Sequence, residues 1–151
     1  MKAIKSPNVV QFYDTVESNK NYYIIQELCE GDLEDLMKKK KTLTEEEALN
    51  IMKDLFNGFI TLLKEGIVHR DLKLGNIMYA KGKYKIGDFG LAKKNKHVNM
   101  KNSSLVGTPL YMSPEILKSM NYTSKCDIWS LGIIFYELMH GTTPWEAETE
   151  V

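Results

Sequence analysis

The sequence predicts an α+β fold that is mostly helical and carries a few short antiparallel strands. Behind a capping box, in which Thr44 is the N-cap and Glu47 the N3 residue, apolar residues keep helical spacing over 48–63. Runs such as 22–26 and 84–86 instead have the β-branched and aromatic residues of strands and are bounded by turn residues. The two patterns together indicate separate helices and strands around one core.

The first half of the chain is predicted to hold two strands and two helices. Residues 9–12 and 22–26 are the strands, joined by a turn at 17–21. Gly31 opens a helix from Asp32 to about residue 40. The lysine run 38–41 suits the C-terminal end of that helix, where the helix dipole favours cations, and a basic patch for a partner is the alternative. The long helix that starts at the capping box ends at Gly66, as its C′ residue.

The second half is predicted to alternate short strands, a loop and helices. A buried strand at 67–68 precedes a hairpin of strands 77–79 and 84–86 about a Lys-Gly turn. Residues 91–112 are polar and show no period, which is typical of a mobile loop. Ser-Pro-Glu at 113–115 starts a helix with Ser as cap and Pro at N1. The helix 124–140, capped by its first serine and ended by a glycine, is apolar almost all round and is therefore expected to be buried and central.

Composition excludes several classes of function. The 151 residues, 43% of them hydrophobic, are enough for one domain with a core. Twenty basic and twenty acidic residues cancel, which argues against a nucleic-acid partner. The longest apolar stretch, about 131–139, is too short to span a bilayer, so we expect no integral membrane segment. Cys29 and Cys126 form no CxxC pair, and reduced thiols in the cytoplasm are the simplest interpretation.

Two loops carry the residues that indicate a chemistry. The sequence HRDLKLGN occupies 69–76, and DFG follows the predicted hairpin at 88–90. These loops supply a carboxylate, an ammonium, an amide and a second carboxylate, which are the groups that move a phosphoryl group from a magnesium-bound nucleotide to a hydroxyl. Their order and spacing match the motifs HRDLxxxN and DFG of protein kinases.

With GTPLYMSPE at 107–115 and DIWSLG at 127–132, these motifs make the chain resemble a eukaryotic Ser/Thr protein kinase over nearly all of its length. Lys73, two residues after Asp71, is the pattern of the Ser/Thr branch. The resemblance implies a partial kinase domain with an incomplete kinase-like fold: residues 1–26 would be the end of the small lobe, 27–31 the hinge and 32–151 a truncated large lobe.

Subfamily is indicated by longer stretches. GDLEDLM and YTSKCDIWSLGIIFYELMHGTTPW look most like the Unc-51-like, autophagy-initiating kinases. NIMA-related and calcium-dependent kinases share several of these stretches.

The resemblance assigns roles to five residues at the site of transfer. Asp71 would orient the acceptor hydroxyl and take its proton, and Lys73 would offset charge on the transferring phosphate. Asn76 and Asp88 would give oxygen ligands to Mg²⁺, which prefers them. Thr108 would contact the catalytic base and lysine. The expected cofactors are ATP and Mg²⁺, and the expected partner is a protein substrate with a Ser or Thr acceptor; no oligomeric state is predicted.

The resemblance also implies a nucleotide pocket. Gln26 is at the gatekeeper position, and the backbones of Glu27 and Cys29 would bond the adenine edge. Asp32 would contact the ribose, although Glu-Gly-Asp at 30–32 is one residue shorter than the usual family hinge. Met78 would form the floor of the adenine pocket, and plain core packing explains this methionine equally well.

Regulation is implied by the arginine before the catalytic aspartate. Phosphate on Ser104, or as second choice on Ser103, would pair with Arg70 and Lys93 and order the loop. The alternative is that both serines are unmodified polar residues of a loop. Three further residues, His69, Phe89 and Phe12, match the stacked spine that links the lobes, with Asp127 at its base.

The glycine-rich loop, the strand-borne lysine and the glutamate that pairs with this lysine do not occur in the sequence. We therefore expect a fragment of a larger kinase that has little or no activity alone. The alternative function is a truncated, non-catalytic kinase-like module that binds partners.

Overall fold

A computed structural model of the chain describes residues 4–94, 106–118 and 122–145. Helices and strands mix as the sequence predicts, giving an α+β fold. The strands are β1 (Phe12–Glu17), β2 (Tyr22–Gln26), β3 (Gly31–Asp32), β4 (Ile67–Val68), β5 (Ile77–Ala80), β6 (Lys83–Ile86) and β7 (Lys93–Lys94); the helices are α1 (Leu33–Lys40), α2 (Glu45–Lys64), α3 (Pro114–Leu117) and α4 (Lys125–His140).

The helix α2 provides much of the core and packs against both α4 and β6. Its capping box is confirmed, because the Glu47 amide donates to the Thr44 hydroxyl at 3.3 Å and the Glu47 carboxylate accepts from the Thr44 amide at 3.0 Å. Its end at Gly66 is also confirmed, by a positive φ of 68° that favours glycine. The buried residues of α2 are Ala48, Ile51, Met52, Asp54, Leu55, Gly58, Phe59 and Leu62.

Three small antiparallel sheets position the loops that carry the motifs. β1 pairs with β2, β5 lies between β3 and β6, and β4 pairs with β7. The predicted hairpin is confirmed as β5–β6, so the chain leaves the first motif loop and returns at the second. β4 directly precedes the first motif loop and β7 follows the second, so their pairing holds the start of the first loop near the end of the second.

The strand predicted at 9–12 is wrong, because β1 begins only at Phe12. Val9 and Val10 are instead buried in the core, and the Val10 amide donates to the Ile86 carbonyl at 2.9 Å. The two valines gain more by burial beside β6 than by joining an exposed ribbon. The register of the pair β1 and β2 is set by the turn between them, where the Ser18 amide donates to the Asn21 carbonyl.

The prediction of an unstructured loop over 91–112 is wrong at both ends, and 95–105 lie outside the described residues. Lys93 and Lys94 pair with β4, and Pro109–Tyr111 form a 3-10 turn. A two-residue strand has no period that a sequence can reveal. Ser113 precedes α3 as predicted, but its side chain makes no capping bond and its hydroxyl is buried without a partner among the described atoms.

α4 is less completely buried than its apolar sequence predicts. Leu131, Ile134 and Leu138 face the core, whereas Ile128 and Trp129 are 43% and 38% exposed. Its first turn is also not capped by the Ser124 side chain. Within the described ranges, no helix has the length and apolar character that crossing a membrane requires.

Candidate active site

The loop after β4 holds its polar side chains by burying the residues between them. Leu72 and Leu74 are almost fully buried, and the polar residues Asp71 and Lys73 alternate with them. The 3-10 turn Leu74–Asn76 then directs the chain into β5. This alternation leaves Asp71 and Lys73 on the opposite side of the loop from the core.

Asp71, Lys73 and Thr108 form one ring of polar contacts, and Asn76 is bonded to this ring through Asp71. The Thr108 hydroxyl donates to Asp71 Oδ1 at 2.7 Å and accepts from Lys73 Nζ at 2.9 Å. Lys73 Nζ lies 3.3 Å from Asp71 Oδ2, to which the Asn76 amide also donates at 3.0 Å. Both carboxylate oxygens of Asp71 are therefore engaged, and the side chain has one fixed orientation. The contact predicted between Thr108 and the pair Asp71 and Lys73 is present.

A buried carboxylate holds the start of this loop. Asp127, 1% exposed, accepts from the backbone amides of His69 at 2.8 Å and Arg70 at 2.9 Å. Burial raises the pKa of Asp127, and the two amides act in the opposite direction by stabilising the charged form. Since Arg70 has a φ of 70°, which is uncommon for a residue other than glycine, the two bonds hold a backbone turn that the chain would otherwise avoid.

The second motif loop lies against the first through aromatic and backbone contacts. The Phe89 ring meets the His69 ring edge-on at a centroid distance of 5.0 Å, and His69 Nε2 lies 2.8 Å from the Gly87 carbonyl oxygen. His69 is fully buried, which fits its predicted place in the stacked spine. Phe12 lies at the start of β1, opposite Gln26.

The oxygen atoms available to magnesium come from Asn76 and Asp88. The Asn76 side-chain nitrogen is used up by the backbone and side-chain oxygens of Asp71, so its amide oxygen is left to act as a ligand. Asp88 is exposed, and its Oδ1 accepts from the Gly90 amide at 3.1 Å within its own loop. A carboxylate and an amide oxygen fit a hard divalent cation. The described residues hold no cluster of three His, Cys, Asp or Glu that could bind a metal.

The predicted nucleotide residues lie on two neighbouring segments. Met78 pairs with Asp32 in the β3–β5 ladder, which places the expected adenine floor beside the expected ribose contact. Asp32 is also the N-cap of α1, because its Oδ1 accepts from the Asp35 amide at 2.8 Å. The Cys29 thiol lies 3.7 Å from the Glu27 carbonyl oxygen, and burial raises its pKa. Gln26 ends β2 and is exposed.

The residues predicted to respond to phosphorylation are only partly within the described ranges. Ser103 and Ser104 lie outside them. Arg70 donates from Nε to the Leu91 carbonyl at 2.7 Å and from a terminal nitrogen to the Tyr122 hydroxyl at 3.3 Å. Lys93 lies in β7. The arginine is thus bonded to the segment that follows the second motif loop.

Tyr111 and Glu137 form a hydrogen-bonded pair next to the loop after β4. No functional residue was predicted there from the sequence. The Tyr111 hydroxyl donates to Glu137 Oε2 at 2.5 Å, and burial raises the pKa of both groups. Negative charge on Glu34 raises the pKa of Glu137 further. A Cβ on Gly75, in the loop after β4, would lie 2.8 Å from Glu34 Oε2, so this carboxylate covers the loop.

Lys85 is a second residue near the site that was not predicted from the sequence. The run KYKI of β6 predicts that this lysine is on the exposed face of the strand. In the structure it is only 6% exposed, and its ammonium bonds the carboxylate of Glu27. Both partners look like ordinary surface charges in the sequence. No sequence signal indicates their pairing, because 58 residues separate them.

Comparison with known proteins identifies similar chains. A family model for the protein kinase domain matches residues 1–151. The chain is 42% identical over 149 residues to the serine/threonine-protein kinase atg1 of Dictyostelium discoideum, which covers 93% of this chain and 22% of that protein. It is 39% identical over 150 residues to the cell cycle serine/threonine-protein kinase CDC5/MSD2 of Saccharomyces cerevisiae, with 97% and 21% covered. It is 37% identical over 150 residues to the serine/threonine-protein kinase polo of Drosophila melanogaster, with 98% and 26% covered. The chain thus spans about a fifth to a quarter of the length of these relatives.

Proposed function

Because this chain belongs to the protein kinase family, we propose that the protein carrying it is a Ser/Thr kinase that transfers the γ-phosphoryl group of ATP to hydroxyls of protein substrates. The observation that carries the proposal is the ring formed by Asp71, Lys73 and Thr108, with Asn76 bonded to Asp71. Phosphoryl transfer depends mainly on position and charge, and the ring fixes a carboxylate and an ammonium side by side.

Each residue has a proposed task in the transfer. Asp71 orients the acceptor hydroxyl and receives its proton, since its carboxylate is held in one orientation. Lys73 offsets the charge of the moving phosphoryl group. The amide oxygen of Asn76 and the carboxylate of Asp88 hold magnesium, which when bound neutralises charge on the nucleotide phosphates. Thr108 keeps Lys73 next to Asp71 by bonding both.

The binding of ATP is proposed for the hinge and the strand beneath it. The backbone of Glu27 and Cys29 bonds the adenine edge, with Gln26 before it, Met78 below it and Asp32 near the ribose. This assignment rests on the family resemblance and on the proximity of Asp32 and Met78. It places residues 1–26 in the small lobe, 27–31 in the hinge and 32–151 in the large lobe.

A role in starting autophagy is the finer proposal. It is supported by the similarity to atg1, at 42% identity. CDC5/MSD2 and polo match at 39% and 37%, and calcium-dependent protein kinase 5 of Plasmodium berghei matches at 41%. The test is autophagic turnover during starvation in cells that lack the gene: a normal rate would contradict the proposal. The cytoplasmic location stays a prediction from the two cysteines, and control by Ser104 or Ser103 with Arg70 and Lys93 stays a prediction as well.

The kinase proposal is tested with Asp71→Asn in the full-length protein, and Asp35→Asn, an exposed carboxylate of α1, is the matched control. Transfer of labelled phosphate from ATP to a protein substrate should fall by about 10²–10⁴-fold in Asp71→Asn, the usual contribution of a positioned base. Binding of a fluorescent ATP analogue should be unchanged in both variants. Asp71→Asn activity close to that of the control would contradict the assigned chemistry. An unmodified protein that transfers nothing would favour the non-catalytic binding module.

A further inference from the structure

The carboxylate of Glu27 is buried at the start of the hinge, and several groups converge on it. Lys85 Nζ lies 3.0 Å from its Oε2, and the Gln11 amide donates to the same oxygen at 3.3 Å. Its Oε1 lies 3.4 Å from Lys81 Nζ, whose side chain is mostly exposed. The Glu27 amide in turn donates to the Gln11 carbonyl at 2.8 Å. The hinge is therefore fixed to the segment before β1 through both backbone and side chain.

Lys85 connects this cluster to the rest of the nucleotide pocket. Its backbone pairs with Met78 in the β5–β6 ladder, and Met78 pairs with Asp32 on the other side. Three residues further along the chain, β6 leads to Asp88. A single lysine thus contacts the hinge through its ammonium and the adenine floor through its strand.

The cost of burying both charges indicates a positional purpose. The side chains of Lys85 and Glu27 are 8% and 5% exposed. A buried ion pair often gives no more stability than two apolar residues of similar size, because both charges lose their water. Burial acts to raise the pKa of Glu27, but the bonds from Lys85 and Gln11 outweigh it and lower the pKa, so the carboxylate of Glu27 is charged at neutral pH. The pair joins two segments that are 58 residues apart in the sequence by a contact with a defined direction.

We propose that Lys85 and Glu27 are a positioning pair that holds the hinge backbone at a fixed distance from the strand leading to Asp88, and so sets the affinity for ATP. The proposal rests on the proposed kinase function. Neither side chain is a catalytic residue. The backbone of residues 27–29, through which adenine is bonded, is what the pair positions.

The experiment compares Lys85→Met with Lys83→Met in the full-length protein. Lys83 lies on the same strand and also forms an ion pair, with Asp54 at 3.2 Å, but it contacts α2 rather than the hinge. It is therefore a matched control for loss of a lysine and of an ion pair. We expect Lys85→Met to raise the KM for ATP about tenfold, the size of one charged hydrogen bond, with kcat and the peptide KM nearly unchanged. Lys83→Met should leave the KM for ATP unchanged.

A second readout does not need activity. Hydrogen–deuterium exchange at the amides of residues 27–29 should be faster in Lys85→Met by about fivefold or more and unchanged in Lys83→Met, because exchange reports local opening. Combining Lys85→Met with Glu27→Gln should raise the KM no further than one substitution does, since both remove the same interaction. If Lys85→Met does not fold, the isosteric Glu27→Gln is measured with the same expectations.

The proposal is overturned if Lys85→Met exchanges at the hinge like the unmodified protein and keeps its KM for ATP. It is equally overturned if Lys83→Met has the same effects, because general loss of stability then explains them. A protein without transfer activity would refute the kinase function alone, since exchange and binding of a fluorescent ATP analogue still test the pair.

Discussion

Replacing Gly107 by alanine tests whether backbone contact at one point controls the catalytic ring. Gly107 has a φ of 122°, a conformation that residues with a Cβ rarely adopt. A Cβ at this position would lie 2.4 Å from the carbonyl oxygen of Arg70, whereas ordinary contact begins at 3.4 Å. Gly107 and Arg70, the two residues that would clash, directly precede Thr108 and Asp71. The side chains of Thr108 and Asp71 are hydrogen-bonded to each other.

The expected displacement follows from these distances. The difference between 3.4 Å and 2.4 Å requires the two backbones to separate by 1.0 Å. Added to the 2.7 Å between the Thr108 hydroxyl and Asp71 Oδ1, this gives about 3.7 Å, too long for a hydrogen bond. A misplacement of about 1 Å can reduce catalysis by about a hundredfold. Backbone strain at an unfavourable φ adds a loss of stability of roughly 1–3 kcal/mol.

The assay is kcat/KM for phosphate transfer by the full-length protein, together with its unfolding by urea. Gly82→Ala is the control, because Gly82 also has a positive φ, of 73°, but a Cβ there would have no atom within 4 Å. Gly82→Ala should lose stability of roughly 1–2 kcal/mol from strain and keep its activity. If Gly107→Ala keeps its activity, or if both variants lose it equally, the contact with Arg70 does not control the ring.

Two further predictions concern stability, each measured as the free energy of unfolding in urea. Asp127→Ala leaves the backbone amides of His69 and Arg70 without their acceptor. It should lower this free energy by roughly 2–6 kcal/mol, about 1–3 for each amide. Asp127→Asn keeps one acceptor oxygen and should lose less, and equal losses in the two variants would contradict this role of Asp127. Hydrogen bonds from Lys40 and from a backbone amide lower the pKa of Glu47 from 4.5 to about 2. Its contribution is therefore complete above pH 4.5 and is lost as the pH falls through about 2, so the difference between the unmodified protein and Glu47→Gln should shrink over that interval. A difference that is the same at neutral pH and at about pH 2 would contradict it.

Helix ends and motif loops were accessible to prediction because their causes are local. The capping box at Thr44 and the glycine end at Gly66 depend on residues within one turn, and both occur where the sequence places them. The hairpin that joins the two motif loops was equally predictable from its turn. Failures occurred at the side-chain caps predicted for Ser113 and Ser124. They also occurred where backbone pairing reaches across the chain, as for Val10 beside β6 and for the two-residue strand β7.

For the candidate site, the sequence by itself determined which chemical groups are present: a carboxylate, an ammonium and an amide within six residues, with a second carboxylate twelve residues later. Their spacing along one loop is short enough that local geometry brings Asp71, Lys73 and Asn76 together. The family resemblance predicted the contact of Thr108 with this group and the place of Asp127 at the base of the spine. Only the tertiary structure decided which backbone amides Asp127 binds, and that Lys85 is buried against Glu27. The physical reason is that the burial of a charged side chain depends on whether it has a partner. Partners distant in the sequence are brought together only by the packing of the whole core.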